Sequence, residues 1–307
     1  MPRQDLSPND IAELRAKLNG RPIVASISGG KDSAAMALFL RELGIEFTAV
    51  FMDTGWESAV SYEYIRGPLT NTIGPITEIR ADKQMVELIR HKSMFASRQH
   101  RFCTDELKMK PFQRYIASLD AEVVSAVGIR AVESPSRALM APWEWSDGLD
   151  CDVWRPLLTW TLDDVIAIHA RHNLRPNPLY MLAGVERVGC WPCVLSKKSE
   201  IRAIAEHDPA RIAVVRELEI EIGKAIDVKH AARGETAEQH AACARPAWFQ
   251  QPDRVKGRTW PVDAVVEWSR TKRGGKEPEL FAGGAADAGC MRWGLCDTAI
   301  DTGSADE

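Results

Sequence analysis

The sequence lacks the long apolar segments and the large charge excess that mark several familiar classes of protein. Its longest purely apolar runs fall far short of the roughly 18 residues that a membrane-spanning helix needs. The first ten residues, MPRQDLSPND, also lack the apolar stretch of a signal peptide, so we expect a cytoplasmic protein that does not bind membranes. The formal net charge is only −4, which argues against nonspecific coating of nucleic acid but allows a local basic groove.

Two well-known phosphate-binding patterns are also absent. The P-loop pattern, GxxxxGK followed by Ser or Thr, would need glycine where the chain has Ala25, and Asp32 follows the lysine. The dinucleotide-binding pattern GxGxxG does not occur. These absences exclude the two common fingerprints and leave a different kind of phosphate loop to be considered.

The segment SGGKDS, residues 28–33, lies where an apolar strand leads into a helix with apolar residues at helical spacing. Its glycines, which lack Cβ atoms, let backbone N–H groups approach an anion. Asp32 and Ser33 lie at the helix N-terminus, where unpaired donors favour phosphate, and Lys31 adds a mobile positive charge. An ordinary glycine turn is the alternative for a bare Gly-Gly. The predicted phosphate-binding residues are Ser28, Gly29, Gly30, Lys31, Asp32 and Ser33.

Strand and helix segments alternate through the first part of the chain. Strands are predicted at 22–28, 47–53, 76–81, 121–129 and 152–158, and helices near 33–43, 58–66, 83–94, 105–118 and 161–172. This alternation predicts an α/β fold with a doubly wound parallel sheet, whose ligands bind beyond the carboxyl ends of the strands. The 307 residues suffice for about two domains. We expect a nucleotide-binding α/β domain at 1–180 and a smaller, mainly helical, cysteine-containing domain at 181–307.

Seven cysteines in a cytosolic chain of this size favour metal or sulfur chemistry over structural disulfides. Cys190 and Cys193 form a CxxC pair, which suits a zinc knuckle, an iron–sulfur half-site or a redox pair. The further candidate ligands are Cys103, Cys290 and Cys296, and the two expected to be buried small hydrophobes are Cys151 and Cys243.

A basic run precedes and follows Cys103. Between positions 90 and 114 the chain has seven Lys or Arg residues and two acids. The cations are Arg90, Lys92, Arg98, Arg101, Lys108, Lys110 and Arg114. The run is either a solvated helix face or a groove for nucleic acid.

The SGGKDS segment resembles, at every defined position, the SGGxDS loop that grips the pyrophosphate of ATP in the PP-loop ATP pyrophosphatases. Further segments, in order and spacing, resemble the phosphoadenylyl-sulfate reductase family across roughly residues 20 to 200. They are 53–57 (DTGWE), 103–111, 128–134 with Arg137, 154–160 (WRPLLTW) and 177–180 (NPLY), the last of these preceding the CxxC.

The resemblance implies a fold of the adenine nucleotide alpha hydrolase kind, and a set of ligands. It implies ATP with Mg²⁺, and adenosine near Asp53 and Gly128. It also makes the arginines candidates for phosphate contacts: Arg130, Arg137 and Arg155. In the iron–sulfur members, cysteines at the positions of Cys103, Cys190 and Cys193 bind a 4Fe-4S cluster. Because Phe102 replaces the usual paired cysteine, the fourth ligand is Cys290 or Cys296.

Three functions compete within this resemblance. Sulfonucleotide (APS/PAPS) reductases have an eroded loop and a nucleophilic cysteine on a CGLH-like tail, whereas this loop is intact and Asp297 follows Cys296. We therefore favour an ATP pyrophosphatase that adenylylates an acceptor for sulfur insertion. It would resemble the DndC-type enzymes of DNA phosphorothioation and the iron–sulfur tRNA thiolases. The alternatives are a reductase that forms sulfite and a nucleotide-sensing or zinc-stapled binding module without turnover.

The favoured function assigns roles and partners. Lys31 and Asp32 would act in catalysis, and Cys296 is a candidate sulfur carrier because a nearby cation, Arg292, would lower the pKa of its thiol. The expected partners are DNA or tRNA as the acceptor, and a cysteine desulfurase or another sulfur donor. Whether the chain forms a homo-oligomer stays open.

Overall fold

The structure, a computed structural model, describes residues 7–236, 246–250 and 259–271. The helices in these ranges are α1 Pro8–Leu18, α2 Lys31–Glu42, α3 Ala59–Tyr64, α4 Thr70–Ile73, α5 Met85–Lys92, α6 Phe102–Thr104, α7 Lys110–Ala117, α8 Pro135–Ala138, α9 Leu162–Arg171, α10 Lys198–His207, α11 Pro209–Ala232 and α12 Val262–Ser269. The strands are β1 Ile23–Ile27, β2 Thr48–Asp53, β3 Ile76–Arg80, β4 Val124–Val127, β5 Trp143–Ser146, β6 Cys151–Trp154, β7 Phe249–Gln250 and β8 Thr259–Trp260.

Two π-helical turns join neighbouring helices into longer runs. Ile65–Leu69 connects α3 with α4, and Asp105–Met109 connects α6 with α7. The second run therefore extends from Phe102 to Ala117 without a break, and it carries Cys103 at its start.

The main sheet has six strands in the order β3-β2-β1-β4-β6-β5. β1 pairs in parallel with β2 and β4, β2 pairs with β3, and β4 pairs with β6. The predicted doubly wound parallel sheet is confirmed: β1–β4 fall within four of the predicted strands, and β6 overlaps the start of the fifth. The strand order reverses between β1 and β4, and a crevice at that point is where such sheets bind ligands.

The sequence did not predict β5, which pairs antiparallel with β6 at the edge of the sheet. Its four residues, WEWS, include two exposed positions and form no buried apolar run. The strand is nevertheless anchored, since Trp143 stacks on Trp154 with ring centroids 5.2 Å apart.

The α/β part and the C-terminal helices share apolar packing. One core cluster contains Trp56 and Leu107 together with Trp191, Ile204 and Trp248. The rings of Trp56 and Trp248 stack with centroids 4.9 Å apart. The segment after residue 180 thus packs against the residues that follow β2, against α5 and against the 102–117 helical run. Among the described residues, no helix combines the length and apolarity needed to cross a membrane.

Candidate active site

The SGGKDS loop lies at the carboxyl end of the central strand β1, beside the point where the strand order reverses. Gly29 has φ +72°, and a Cβ atom there would lie 2.8 Å from the side chain of Ile65. The Ser33 hydroxyl accepts the N–H of Ser28 at 3.1 Å and donates to the carbonyl of Gly30 at 3.1 Å. Glycine and serine together hold the loop in a tight turn over the start of α2.

Gly128 lets the end of β4 approach the same loop. A Cβ atom on Gly128 would lie 2.7 Å from the carbonyl oxygen of Asp32 and 2.9 Å from the Cα of Ser33. Both neighbours are backbone atoms, which cannot move aside as a side chain can. The glycine is therefore a packing requirement that brings two strand ends together.

The charged residues of the loop form a compact ion-pair group. The Asp32 carboxylate accepts the Arg130 Nε–H at 2.5 Å and lies 3.2 Å from the Lys31 ammonium. Lys31 also donates to the carbonyl of Glu186 at 3.3 Å and lies 4.9 Å from the ring centre of Tyr180. Arg130 is buried, so this predicted phosphate ligand stabilises Asp32 in the structure. The Lys31 ammonium stays close to the Asp32 carboxylate within the loop.

A cleft of about 410 Å³ connects this loop with the predicted cysteine ligands. Its lining includes, from the loop side, Ser28, Gly30, Asp32, Ser33 and Gly128, and, from the cysteine side, Cys103, Cys190 and Cys193. Four cations also line it: Arg101, Lys108, Arg137 and Arg187. Residues from distant parts of the sequence thus form one cationic cavity that contains both the phosphate loop and the thiols.

The CxxC segment is attached to the chain that follows β2. Glu57 and Cys190 form an isolated antiparallel bridge, and the Trp191 N–H donates to the Trp56 carbonyl at 2.8 Å. The Trp56 indole N–H donates to the carbonyl of Pro192 at 3.0 Å. Through these bonds the DTGWE segment positions the CxxC segment against the cleft.

The buried thiols lie in an environment that favours their neutral form unless a nearby cation compensates the charge of the thiolate. Burial raises the pKa of Cys190 to about 11 and also raises the pKa of Cys103. The negative charge of neighbouring Cys190, if ionised, raises the pKa of Lys108, with further contributions from Glu57 and the other two cysteines. Cys193 Sγ accepts the N–H of Leu195 at 3.4 Å. Lys108 and Arg101 both line the cleft beside these thiols.

The thiols are the right kind of donor for an iron–sulfur cluster, but they do not form a complete metal-binding group. Thiolates are the usual ligands of such clusters, and the cleft supplies three of them. Across residues 7–236, 246–250 and 259–271, however, no three His, Cys, Asp or Glu side chains converge as a metal-binding group. The cluster therefore stays a prediction. Cys290 and Cys296 lie outside the described residues.

Three other predicted residues have different surroundings. Asp53 is buried at the end of β2, where its carboxylate accepts the Gly55 N–H at 2.8 Å and the Tyr62 hydroxyl at 2.5 Å, and pairs with Arg80 at 2.7 Å. Arg137 lines the cleft and pairs with Glu133. The third residue, Arg155, is buried, pairs with Glu144 and lines a different cavity.

Sequence patterns did not assign a role to several residues of the cleft. The Tyr180 hydroxyl accepts the N–H of Lys31 at 3.2 Å, and Asn177 Nδ2 donates to the Gly29 carbonyl at 3.2 Å. Both belong to the NPLY segment, so the motif was a usable signal. Arg187 and Glu200 also line the cleft but belong to no recognised pattern.

Several known proteins are similar to this chain. An uncharacterised 37.8 kDa protein of Escherichia phage 186 is 30% identical over 84% of this chain and 91% of its own length. A phosphoadenosine 5'-phosphosulfate reductase of Gloeobacter violaceus is 23% identical over 62% of this chain and 78% of its own length. Among solved structures, the phosphoadenylyl-sulfate reductase of Candida auris aligns with 61% of this chain and 97% of its own, at 17% identity and a TM-score of 0.45.

The family assignment rests on the first two thirds of the chain. The sequence profile of the phosphoadenosine phosphosulfate reductase domain matches residues 22–196, which contain the SGGKDS loop, Cys103 and the CxxC pair. The resemblance inferred from the separate motifs is confirmed. This chain belongs to the phosphoadenosine phosphosulfate reductase domain family.

Proposed function

We propose that this protein cleaves ATP between the α and β phosphorus atoms, adenylylates an acceptor oxygen and prepares that acceptor for sulfur insertion. The observation that carries the proposal is the single cleft lined by both an intact pyrophosphate-type loop and three cysteines.

In the first step the loop holds the β and γ phosphates of ATP. The N-terminus of α2 offers N–H donors, and Lys31 supplies a full charge next to them. A lone pair on the acceptor oxygen attacks the α-phosphorus, the bond to the bridging oxygen breaks, and pyrophosphate leaves with the electron pair. Lys31 swings from the Glu186 carbonyl to stabilise the departing charge. Arg137, which lines the same cleft, would contact a phosphate after it releases Glu133.

In the second step a sulfur nucleophile replaces the adenylate. Sulfide attacks the carbon or phosphorus atom that bears the adenylylated oxygen, the bond from that atom to the oxygen breaks, and AMP leaves with the oxygen and the electron pair. Lys108 faces the thiols and keeps anionic sulfur at that wall of the cleft. A cysteine desulfurase or another sulfur donor would supply the sulfide.

Two cofactors belong to the proposal. Mg²⁺ would bind mainly through the ATP phosphates, with Asp32 as the carboxylate of the loop. A 4Fe-4S cluster held by Cys103, Cys190 and Cys193 would supply a site that binds anionic sulfur. Its fourth ligand would come from the segment that contains Cys290 or Cys296.

Sulfite formation from a sulfonucleotide is the second candidate function. Its support is the similarity to reductases such as that of Gloeobacter violaceus. The cationic cleft would accept a sulfonucleotide as readily as ATP. The loop lysine distinguishes the two, since a sulfonucleotide has no pyrophosphate for Lys31 to stabilise.

Removing the loop lysine tests the proposal. Lys31→Ala should lower pyrophosphate release from ATP about 100-fold, because the charge that stabilises the leaving group is lost. Lys224→Ala, an exposed lysine on α11, is the matched control and should leave the rate unchanged. Equal rates for the two variants, or a loss of sulfite formation in place of pyrophosphate release, would contradict ATP cleavage by this loop.

A further inference from the structure

A second cavity, of about 430 Å³, lies between α5 and α7, beside the residues that follow β3. Four of the side chains that line it carry a positive charge, Lys83, Lys92, Lys110 and Arg114, and His91 lies beside them. Only two are acidic, Asp82 and Glu106. On a chain with a net charge of −4, such a concentration of cations marks a place for an anionic ligand.

The cations of this cavity are held only by weak internal partners. Lys110 lies 3.2 Å from Glu106 and 3.3 Å from Asp105, and Arg114 lies 3.4 Å from Asp82. More than half of the Lys110 and Arg114 side chains is exposed, at 51% and 57%. Exposed ion pairs of this kind contribute little to stability, so an incoming phosphate can replace the carboxylates.

Lys83 and His91 are also available to bind an incoming anion. Neither has an ion pair within the part of the chain that the structure describes, and both are exposed. Several cations arranged around an open concavity suit a ligand with repeated phosphates better than a single small anion.

The helical run from Phe102 to Ala117 forms part of both cavities. Cys103 and Lys108 line the cleft with the phosphate loop, whereas Lys110 and Arg114 line the second cavity. Lys108 and Lys110 are two residues apart, so their side chains point to different sides of the run, and the two cavities lie on different sides of it. The basic run that looked continuous in the sequence therefore divides. Arg101 and Lys108 line the cleft, whereas Lys92, Lys110 and Arg114 line the second cavity. Arg90 lines neither and pairs with Glu221.

We propose that the second cavity binds the phosphodiester backbone of a nucleic acid and thereby presents one nucleotide to the neighbouring cleft. This proposal rests on the proposed function, since it names the class of acceptor. Backbone contacts by Lys and Arg position a nucleic acid without reading its sequence, which leaves the choice of nucleotide to the cleft.

Charge reversal in the second cavity tests this proposal. The double variant Lys83→Glu, Lys110→Glu is compared with a control, Lys224→Glu, Arg233→Glu, which reverses two exposed cations elsewhere. Binding of a labelled DNA duplex, a single-stranded DNA and a tRNA is measured by fluorescence anisotropy from 50 to 300 mM salt. ATP binding is measured on the same proteins by calorimetry.

The proposal expects salt-sensitive binding of at least one nucleic acid by the wild-type protein. The cavity variant should bind it at least 10-fold more weakly, with the log–log salt slope reduced by about 0.7 to 0.9 for each phosphate that the protein no longer neutralises. The control variant should stay within twofold, and ATP binding should be unchanged in both.

Other outcomes separate the two proposals. If the wild-type protein binds ATP but no nucleic acid, or if both double variants lose nucleic acid binding equally, the second cavity is not the acceptor site and the ATP proposal stands. Binding of inorganic pyrophosphate in this cavity without binding of nucleic acid would also overturn the inference. If the wild-type protein does not bind ATP, the proposed function itself fails.

Discussion

At the level of single residues, the phosphate loop depends on backbone approach as much as on charge. Gly29 takes a left-handed conformation, and Gly128 brings β4 against the backbone of Asp32. The sequence identified both glycines through their motifs. It could not show that the Asp32 carboxylate is held by Arg130, since a contact between residues 98 positions apart has no local signal.

Replacing Gly128 with alanine should damage the site by displacement of the backbone. The new methyl group would lie 2.7 Å from the Asp32 carbonyl, so either β4 or the loop must shift. We expect a loss of about 1–3 kcal/mol in the free energy of unfolding and weaker ATP binding. Urea unfolding and calorimetry measure these two effects. Gly67→Ala is the control, because nothing lies within 4 Å of its added Cβ; equal effects of the two substitutions would refute the packing role.

Glu200 provides a pH-dependent test. Burial raises the pKa of this carboxyl, so between its unfolded and folded pKa values the folded state binds more protons than the unfolded state. Its favourable contribution is complete below the unfolded pKa of about 4.3 and is lost as the pH rises through the raised folded value.

The substitution Glu200→Gln should therefore stabilise the fold relative to wild type as the pH increases through that window. Glutamine can still accept the Lys197 N–H, a bond of 2.9 Å in the structure, without a buried charge. Urea unfolding at several pH values compares the two proteins. A stability difference that does not change with pH would show that the Glu200 charge is not penalised.

At the level of helices and strands, the C-terminal segments are joined to α11 by one side chain, which accepts hydrogen bonds from their backbone N–H groups. The Glu219 carboxylate accepts the N–H of Trp248 at 2.9 Å and the N–H of Val262 at 3.0 Å. Trp248 in turn stacks on Trp56, next to the segment that anchors the CxxC. The position of the cysteines thus depends on a helix that contributes no residue to the phosphate loop.

Glu219→Ala should leave two amide donors without their acceptor. We expect a loss of about 1–3 kcal/mol in the free energy of unfolding, together with a change in tryptophan fluorescence as the Trp56–Trp248 stack loosens. Glu217→Ala removes an exposed carboxylate from the same helix and serves as the control. If the two variants unfold alike, Glu219 does not hold the C-terminal segments.

At the level of the whole molecule, some features follow from the local sequence, and others depend on how the elements pack in the tertiary fold. Apolar runs predicted β1, β2, β4 and β6, which are largely buried. β3 was also predicted, although its residues are only half-buried or exposed, whereas the edge strand β5 gave no apolar run. The motif order predicted one nucleotide site with nearby thiols. The division of the basic run between two cavities was not predictable, since it depends on how the helical run 102–117 packs against α5 and the cleft.

The products formed from ATP test the proposed chemistry most directly. Protein purified without oxygen is incubated with ATP, Mg²⁺, sulfide and a nucleic acid that it binds, and the nucleotides and phosphates are separated by chromatography. Cleavage at the α–β bond predicts AMP and pyrophosphate in equal amounts, with sulfur appearing in the nucleic acid. Release of ADP and orthophosphate, or sulfite formation from a sulfonucleotide with no cleavage of ATP, would contradict it.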